Sequence, residues 1–183
     1  DLMARIAGGS AIILPAKGAF SLDAEEIKRR LTEKTRLLIL NSPNNPCGGM
    51  YSRAEMEKVA RLLEGTGVLV ASDEIYSSLV YDGAEFVSFA SLSPDAFRRT
   101  ITFNGLSKSH AMTGWRVGFA AGDVSVIEAL GILQAQSSTH ITSFVQNAAI
   151  EALRPGCFDF APRLKSMQER RDLTVRILSQ IPG

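Results

Sequence analysis

The chain has 183 residues, 45% hydrophobic and 21% charged, with a net charge of +1, which describes an ordinary globular domain long enough for a sizeable core. It carries no basic block that would call for nucleic acid, and no apolar run long enough to span a bilayer. Its two cysteines, Cys47 and Cys157, lie far apart and form no CxxC pair, so neither a disulfide framework nor a zinc site is expected, and a reducing, cytoplasmic compartment is.

In chain order, the apolar run Ser10 to Leu14, closed by Pro15 and Gly18, reads as a buried strand. Asp23-Ala24-Glu25-Glu26 is a capping box, and Ile27 and Leu31 share a face, which predicts a helix from about Ala24 to Thr32. Leu37 to Leu40 reads as a strand buried on both faces, ending in the turn-rich 41–49 stretch. Ser52-Arg53-Ala54-Glu55 starts a second helix with Met56, Val59, Ala60 and Leu63 inward and Gly65 as its stop. Val68 to Ala71 is the next strand. Ser93-Pro94-Asp95 starts a helix, and Ile101 to Phe103 and Val117 to Ala121 are two more strands. Asp123 caps a helix with Val126, Ile127 and Leu130 inward; Ser143 to Leu153 and Phe160 to Ile181 are helical. Strands alternating with amphipathic helices predict an α/β fold, a mostly parallel sheet with helices on both faces.

In such sheets ligands sit beyond the carboxyl ends of the strands. Asn45, Asp73 and Lys108 all fall there, each a few residues past a predicted strand. The stretch Asn104 to Gly118 adds Arg116 and three glycines, Gly105, Gly114 and Gly118. A lysine amine suits attack on a carbonyl, and an arginine fork suits a phosphate. The stretch therefore reads as a loop around an anionic ligand, or, more plainly, as a surface loop with two solvated cations.

Gly105-Leu106-Ser107-Lys108, Ala111-Met112, Gly114, Arg116, Val117 and Gly118 resemble the pyridoxal-phosphate attachment site of the class I and II aminotransferases, the fold type I family. Asn45-Pro46-Cys47-Gly48 resembles that family's NPTG loop, and Asp73-Glu74-Ile75-Tyr76 its aspartate-centred segment. The resemblance implies an aminotransferase that moves an amino group between an amino acid and a 2-oxo acid, with Lys108 forming the Schiff base and carrying the proton. It implies Asp73 on the pyridine nitrogen, Asn45 and Tyr76 at the ring oxygen, and Arg116 on the phosphate, with Ser107 a weaker phosphate donor. Catalysis would rest on Lys108, Asp73 and Tyr76. Each residue also has a plainer reading: Asp73 as a helix cap, Tyr76 as packing, Asn45 as a turn residue, Arg116 as a surface ion pair. Two positions depart from the family. Cys47 stands where threonine is usual, and Gly105 where many members carry a phosphate-binding serine. Glu74, His110 and His140 receive no task.

The resemblance covers nearly the whole chain, which opens at Asp1 without a methionine and stops at Gly183 in a helical pattern. We expect an internal fragment: residues 1–157 a partial cofactor-binding large domain, 158–183 a long helix leading to a small domain. On its own such a fragment should be aggregation-prone, and a homodimer is expected only at full length. A C–S β-lyase or synthase would use the same residues. A ligand-sensing domain of a transcription regulator, or a generic nucleotide-binding domain, are the readings from other classes; the second lacks a GxGxxG or P-loop.

Overall fold

The computed structural model describes residues 2–15 and 20–181. A short helix α1 (Leu2–Ile6) is followed by an irregular stretch. Residues 10–14 form no strand, and Ile12 and Ile13 are exposed, at 61% and 79%. The apolar run is there, but no ladder partner is present among the described residues, and a strand without a neighbour has no means of satisfying its backbone. Only Leu14 packs against the core, and Gly18, read as part of the closing turn, lies outside the described residues.

Helix α2 (Ala24–Arg30) begins where Asp23 accepts hydrogen bonds from the amides of Glu25 and Glu26. Strand β1 (Leu37–Asn41) leads through the 42–50 loop to helix α3 (Arg53–Leu63). The Ser52–Glu55 capping box is fully formed, and Met56, Val59, Ala60 and Leu63 are buried as their spacing predicts. Gly65, at φ +73°, reverses the chain into strand β2 (Leu69–Asp73). Helix α4 (Pro94–Arg99), capped by Ser93, precedes strand β3 (Thr100–Gly105). A single turn, α5 (Leu106–Ser109), carries Lys108, and strand β4 (Gly118–Ala121) closes the sheet. Helices α6 (Val124–Ser137), α7 (Ser143–Ala152) and α8 (Ala161–Leu178) follow. None of the described helices is long and apolar enough to cross a membrane.

The four strands lie in chain order, with β1, β2 and β3 parallel and β4 antiparallel to β3. Leu40 and Val70 on one face of the sheet meet Ile27, Met56, Val59, Leu63, Phe89 and Ala96 in the main core. The other face is open at β1, where Ile39 is 69% exposed and Leu37 is exposed as well, so this strand is buried on one side only. A second, smaller cluster joins Leu106, Val117 and Val145 beneath the lysine turn. Helix α6 turns Val126, Ile127 and Leu130 inward as expected, yet none of its residues is fully buried. Helix α8 is tied back to the 81–83 turn, where Arg171 donates to both oxygens of Asp82 at 2.6 and 2.8 Å and lies over the Tyr81 ring.

Arg99 is a buried cation that ties helix α4 to the 66–68 stretch leading into β2. It pairs with Asp95 through two nitrogens, at 2.7 and 3.0 Å, and donates to the carbonyls of Val68 and Thr66 at 2.7 and 3.2 Å. Arg99→Met should remove these donors and strand the buried Val68 carbonyl, at a cost of about 2–4 kcal/mol. Arg98→Met, which touches only an exposed pair, should cost little. Denaturant titration of both variants of the complete protein checks this, and equal stabilities would contradict it.

Candidate active site

Three loops leave the sheet at one rim because β1, β2 and β3 run parallel, with Asn41 beside Asp73 and Asp73 beside Phe103, two residues before the end of β3. The β1 loop carries Asn45, the β2 turn carries Asp73 and Tyr76, and the turn after β3 carries Lys108. Asn45 Nδ2 donates to the Tyr76 hydroxyl at 2.9 Å, across 31 residues of sequence. Lys108 Nζ lies over the Tyr76 ring, 5.4 Å from its centroid. Amide, phenol and amine, assigned from separate motifs, thus meet.

Asp73 is half-buried at the end of β2. Its Oδ1 accepts the Ile75 amide at 3.2 Å and its Oδ2 accepts Asn41 Nδ2 at 3.0 Å. Residues 75–78 form a turn and no helix, so Asp73 is not a helix cap. Glu74, next in sequence, turns the other way and is buried. Burial pushes its carboxyl above the usual range, and the hydroxyls of Ser88 and Ser72, donating at 2.8 and 2.9 Å, oppose that shift. It pins the end of β2 to the 88–91 turn.

Arg116 stands apart. It is exposed, holds a left-handed backbone at φ +52°, and donates to the Thr113 carbonyl at 2.7 Å. No contact joins it to Lys108, Asp73 or Tyr76 among the described residues. Ser107 is half-buried on the lysine turn, and its side chain makes no hydrogen bond among the described residues. An open cleft of about 760 Å³ is lined by Trp115, Arg116, Gln134, His140 and Phe144, and its lining includes none of Asn45, Asp73, Tyr76 and Lys108. His110 binds Ser109 Oγ at 2.8 Å and packs on Phe158, with ring centroids 4.9 Å apart. His140 lies within 3.0 Å of the Ile141 carbonyl.

Sequence reasoning passed over Asn41, Asn44 and Asn104. Asn104 donates to Ser77 Oγ at 3.1 Å and accepts the Gly105 amide at 2.8 Å, bracing the β2 turn against the lysine turn. Each asparagine sits in a stretch that reads as strand end or turn, and only the strand register shows which neighbour it meets.

An amine, a carboxylate on a half-buried rim and a phenol held by an amide form a donor set suited to an aldehyde-bearing pyridine cofactor. Lys108 would hold the aldehyde, Asp73 the ring nitrogen, and Asn45 with Tyr76 the ring oxygen. Comparison with known proteins identifies the family. The family model for aminotransferase class I and II matches residues 1–183. The aspartate aminotransferase of Bacillus sp. (strain YM-2) is 39% identical over 181 residues, covering 98% of this chain and 46% of that protein. A probable aspartate/prephenate aminotransferase of Aquifex aeolicus is 39% identical over 183 residues, covering 98% of this chain and 46% of its own length. Among solved structures, the aspartate aminotransferase from Rhizobium meliloti superposes with a TM-score of 0.93 at 37% identity, covering 99% of this chain and 46% of that one. The Thermus thermophilus enzyme with maleate gives 0.87 at 35% identity, covering 97% and 47%. The chain spans about half the length of the relatives it matches.

Gly105 shows why a serine is missing three residues before the lysine. A Cβ there would come within 2.9 Å of the Val117 carbonyl and 3.0 Å of Gly118 Cα, both backbone. Gly105→Ala should push β4 away from β3 beneath Lys108 and cost about 1–3 kcal/mol. Gly114→Ala, with nothing within 4 Å, should be tolerated. Thermal unfolding and amide exchange across residues 105–118 check this; an unchanged exchange pattern in Gly105→Ala would contradict it.

Proposed function

Because the chain belongs to the class I and II aminotransferases, we propose that the protein is a pyridoxal-phosphate-dependent aminotransferase acting between an amino acid and a 2-oxo acid. The fold is that of the fold type I enzymes. The observation that carries the reading is the meeting of Lys108, Tyr76 and Asn45 through two contacts. These side chains come from the loops after β1, β2 and β3, and a surface lysine or a packing tyrosine would have no reason to converge so.

Bound pyridoxal phosphate supplies the electron sink that makes the substrate α-hydrogen removable. The chain's residues do the rest. Lys108 would hold the aldehyde carbon and, as the free amine, would carry the proton to and from the substrate α-carbon. Asp73 would receive the pyridine N–H and stabilise its positive charge. Tyr76 would donate to the ring oxygen, with its hydroxyl fixed by Asn45. Arg116 and Ser107 are assigned to the phosphate; for Arg116 this requires release from the Thr113 carbonyl, to which it now donates.

The names of the relatives point to aspartate as the amino donor. The proposal includes a homodimer at full length, a cytoplasmic location, and the division into 1–157 and 158–183, with α8 leading onward. The exposed apolar side chains on β1, α6 and α8 support further chain or a partner covering them.

The complete protein, given aspartate and 2-oxoglutarate, should transfer the amino group in two half-reactions. Release of a thiol, pyruvate and ammonia from a cysteine S-conjugate, with no oxo-acid acceptor, would instead favour the lyase. Asp73→Asn should keep cofactor and fold but lower the single-turnover rate about 100- to 1000-fold, as loss of one preorganised electrostatic contact does elsewhere. A variant that holds cofactor and works within a few-fold of wild type would overturn the assignment of Asp73.

A further inference from the structure

The carboxylate of Asp73 ends a run of hydrogen bonds that begins at a backbone amide. The Cys47 amide donates to Asn44 Oδ1 at 3.3 Å, Asn44 Nδ2 donates to Asn41 Oδ1 at 2.5 Å, and Asn41 Nδ2 donates to Asp73 Oδ2 at 3.0 Å. The direction of this run is set at both ends. A backbone N–H can only donate and an ionised carboxylate can only accept, so each carboxamide between them has one orientation that satisfies all its neighbours. Reversing Asn41 would set its carbonyl against the carboxylate and its NH₂ against that of Asn44. The strand register supplies the placement, since Asn41 and Asp73 are paired residues at the ends of β1 and β2.

From this we infer that Asn41, oriented by Asn44, is a positioning residue for Asp73: it fixes the carboxylate on the rim by donating to Oδ2 while the Ile75 amide holds Oδ1. The inference rests on the proposed role of Asp73. With each oxygen bound once from the protein, the carboxylate is held in one rotamer and keeps lone pairs for a ring N–H. The same 41–49 loop carries Asn45, so one backbone segment sets both the acid partner of the ring and the amide on Tyr76. The titratable groups around this strand end are Glu74, engaged with Ser72 and Ser88, and Tyr76 with Lys108 over its ring. None of them donates to Asp73, so among the described side chains Asn41 alone does so.

The test uses the complete protein loaded with ¹⁵N-labelled pyridoxal phosphate. Wild type, Asn41→Leu and Asn44→Leu are compared by the pyridine ¹⁵N chemical shift, by kcat and KM, and by crystal structures of the cofactor-free proteins. Asn41→Leu should retain cofactor and leave KM within about two-fold. It should lower kcat about 10- to 100-fold, as slight misplacement of a catalytic group does. Its ¹⁵N shift should move toward the unprotonated value, and Asp73 should leave its wild-type rotamer. Asn44→Leu should do the same more weakly, and it decides the matter if Asn41→Leu does not fold. A wild-type ¹⁵N shift with an unmoved Asp73 in a folded variant would overturn the inference. A wild-type protein that takes up no cofactor would overturn the aminotransferase reading instead, and the rotamer of Asp73 in the cofactor-free variants would still decide the role of Asn41.

Discussion

Parallel pairing of β1, β2 and β3 in register brings Asn41, Asp73 and Phe103 to one level, and every assigned group but Arg116 hangs from the loops that leave there. Parallel strands present their carboxyl ends on the same side, so the loops that follow must gather at that rim. Their side chains then need only local bracing. Asn45 braces Tyr76, Asn41 braces Asp73, and Asn104 braces the turn that carries Tyr76 against the turn that carries Lys108. Neutral amides suit this work because they orient a phenol or a carboxylate without adding a charge that would compete with the ligand.

Below the rim, the sheet is anchored from one face. Capped helices α2 and α3 bury their apolar stripes against Leu40 and Val70, and the Arg99 guanidinium links α4 to the backbone at the start of β2. Glu74 continues this anchoring to the rim itself, since its buried carboxyl holds Ser72 and Ser88 immediately beside Asp73. Two adjacent carboxylates thus serve different ends, one turned into the protein and one presented at the surface, because successive residues of an extended chain point to opposite faces.

Much of this was legible in the sequence. The N-cap at Asp23, the capping box at Ser52, the inward stripe of α3, and the gathering of Asn45, Asp73 and Lys108 follow from local chemistry and period. What stayed illegible depends on partners distant in sequence. Among the described residues, the run 10–14 has strand composition but no neighbouring ladder, and Leu37 and Ile39 have apolar character but no cover. Strand β4 runs antiparallel, and a short apolar run carries no sign of its direction. Asn41 looks like a strand terminus until the register sets it against Asp73. Arg116 lies at the spacing that the resemblance requires, yet its guanidinium is turned to Thr113.

At the centre stands the proposal that Lys108 is the residue that bonds the cofactor. Reducing the complete, cofactor-loaded protein with borohydride makes that link permanent, and peptide mapping by mass spectrometry then locates it. The expected result is a single pyridoxyl label on Lys108. A label on any other lysine, or none on a protein that has taken up the cofactor, would contradict the assignment of this rim as the active site.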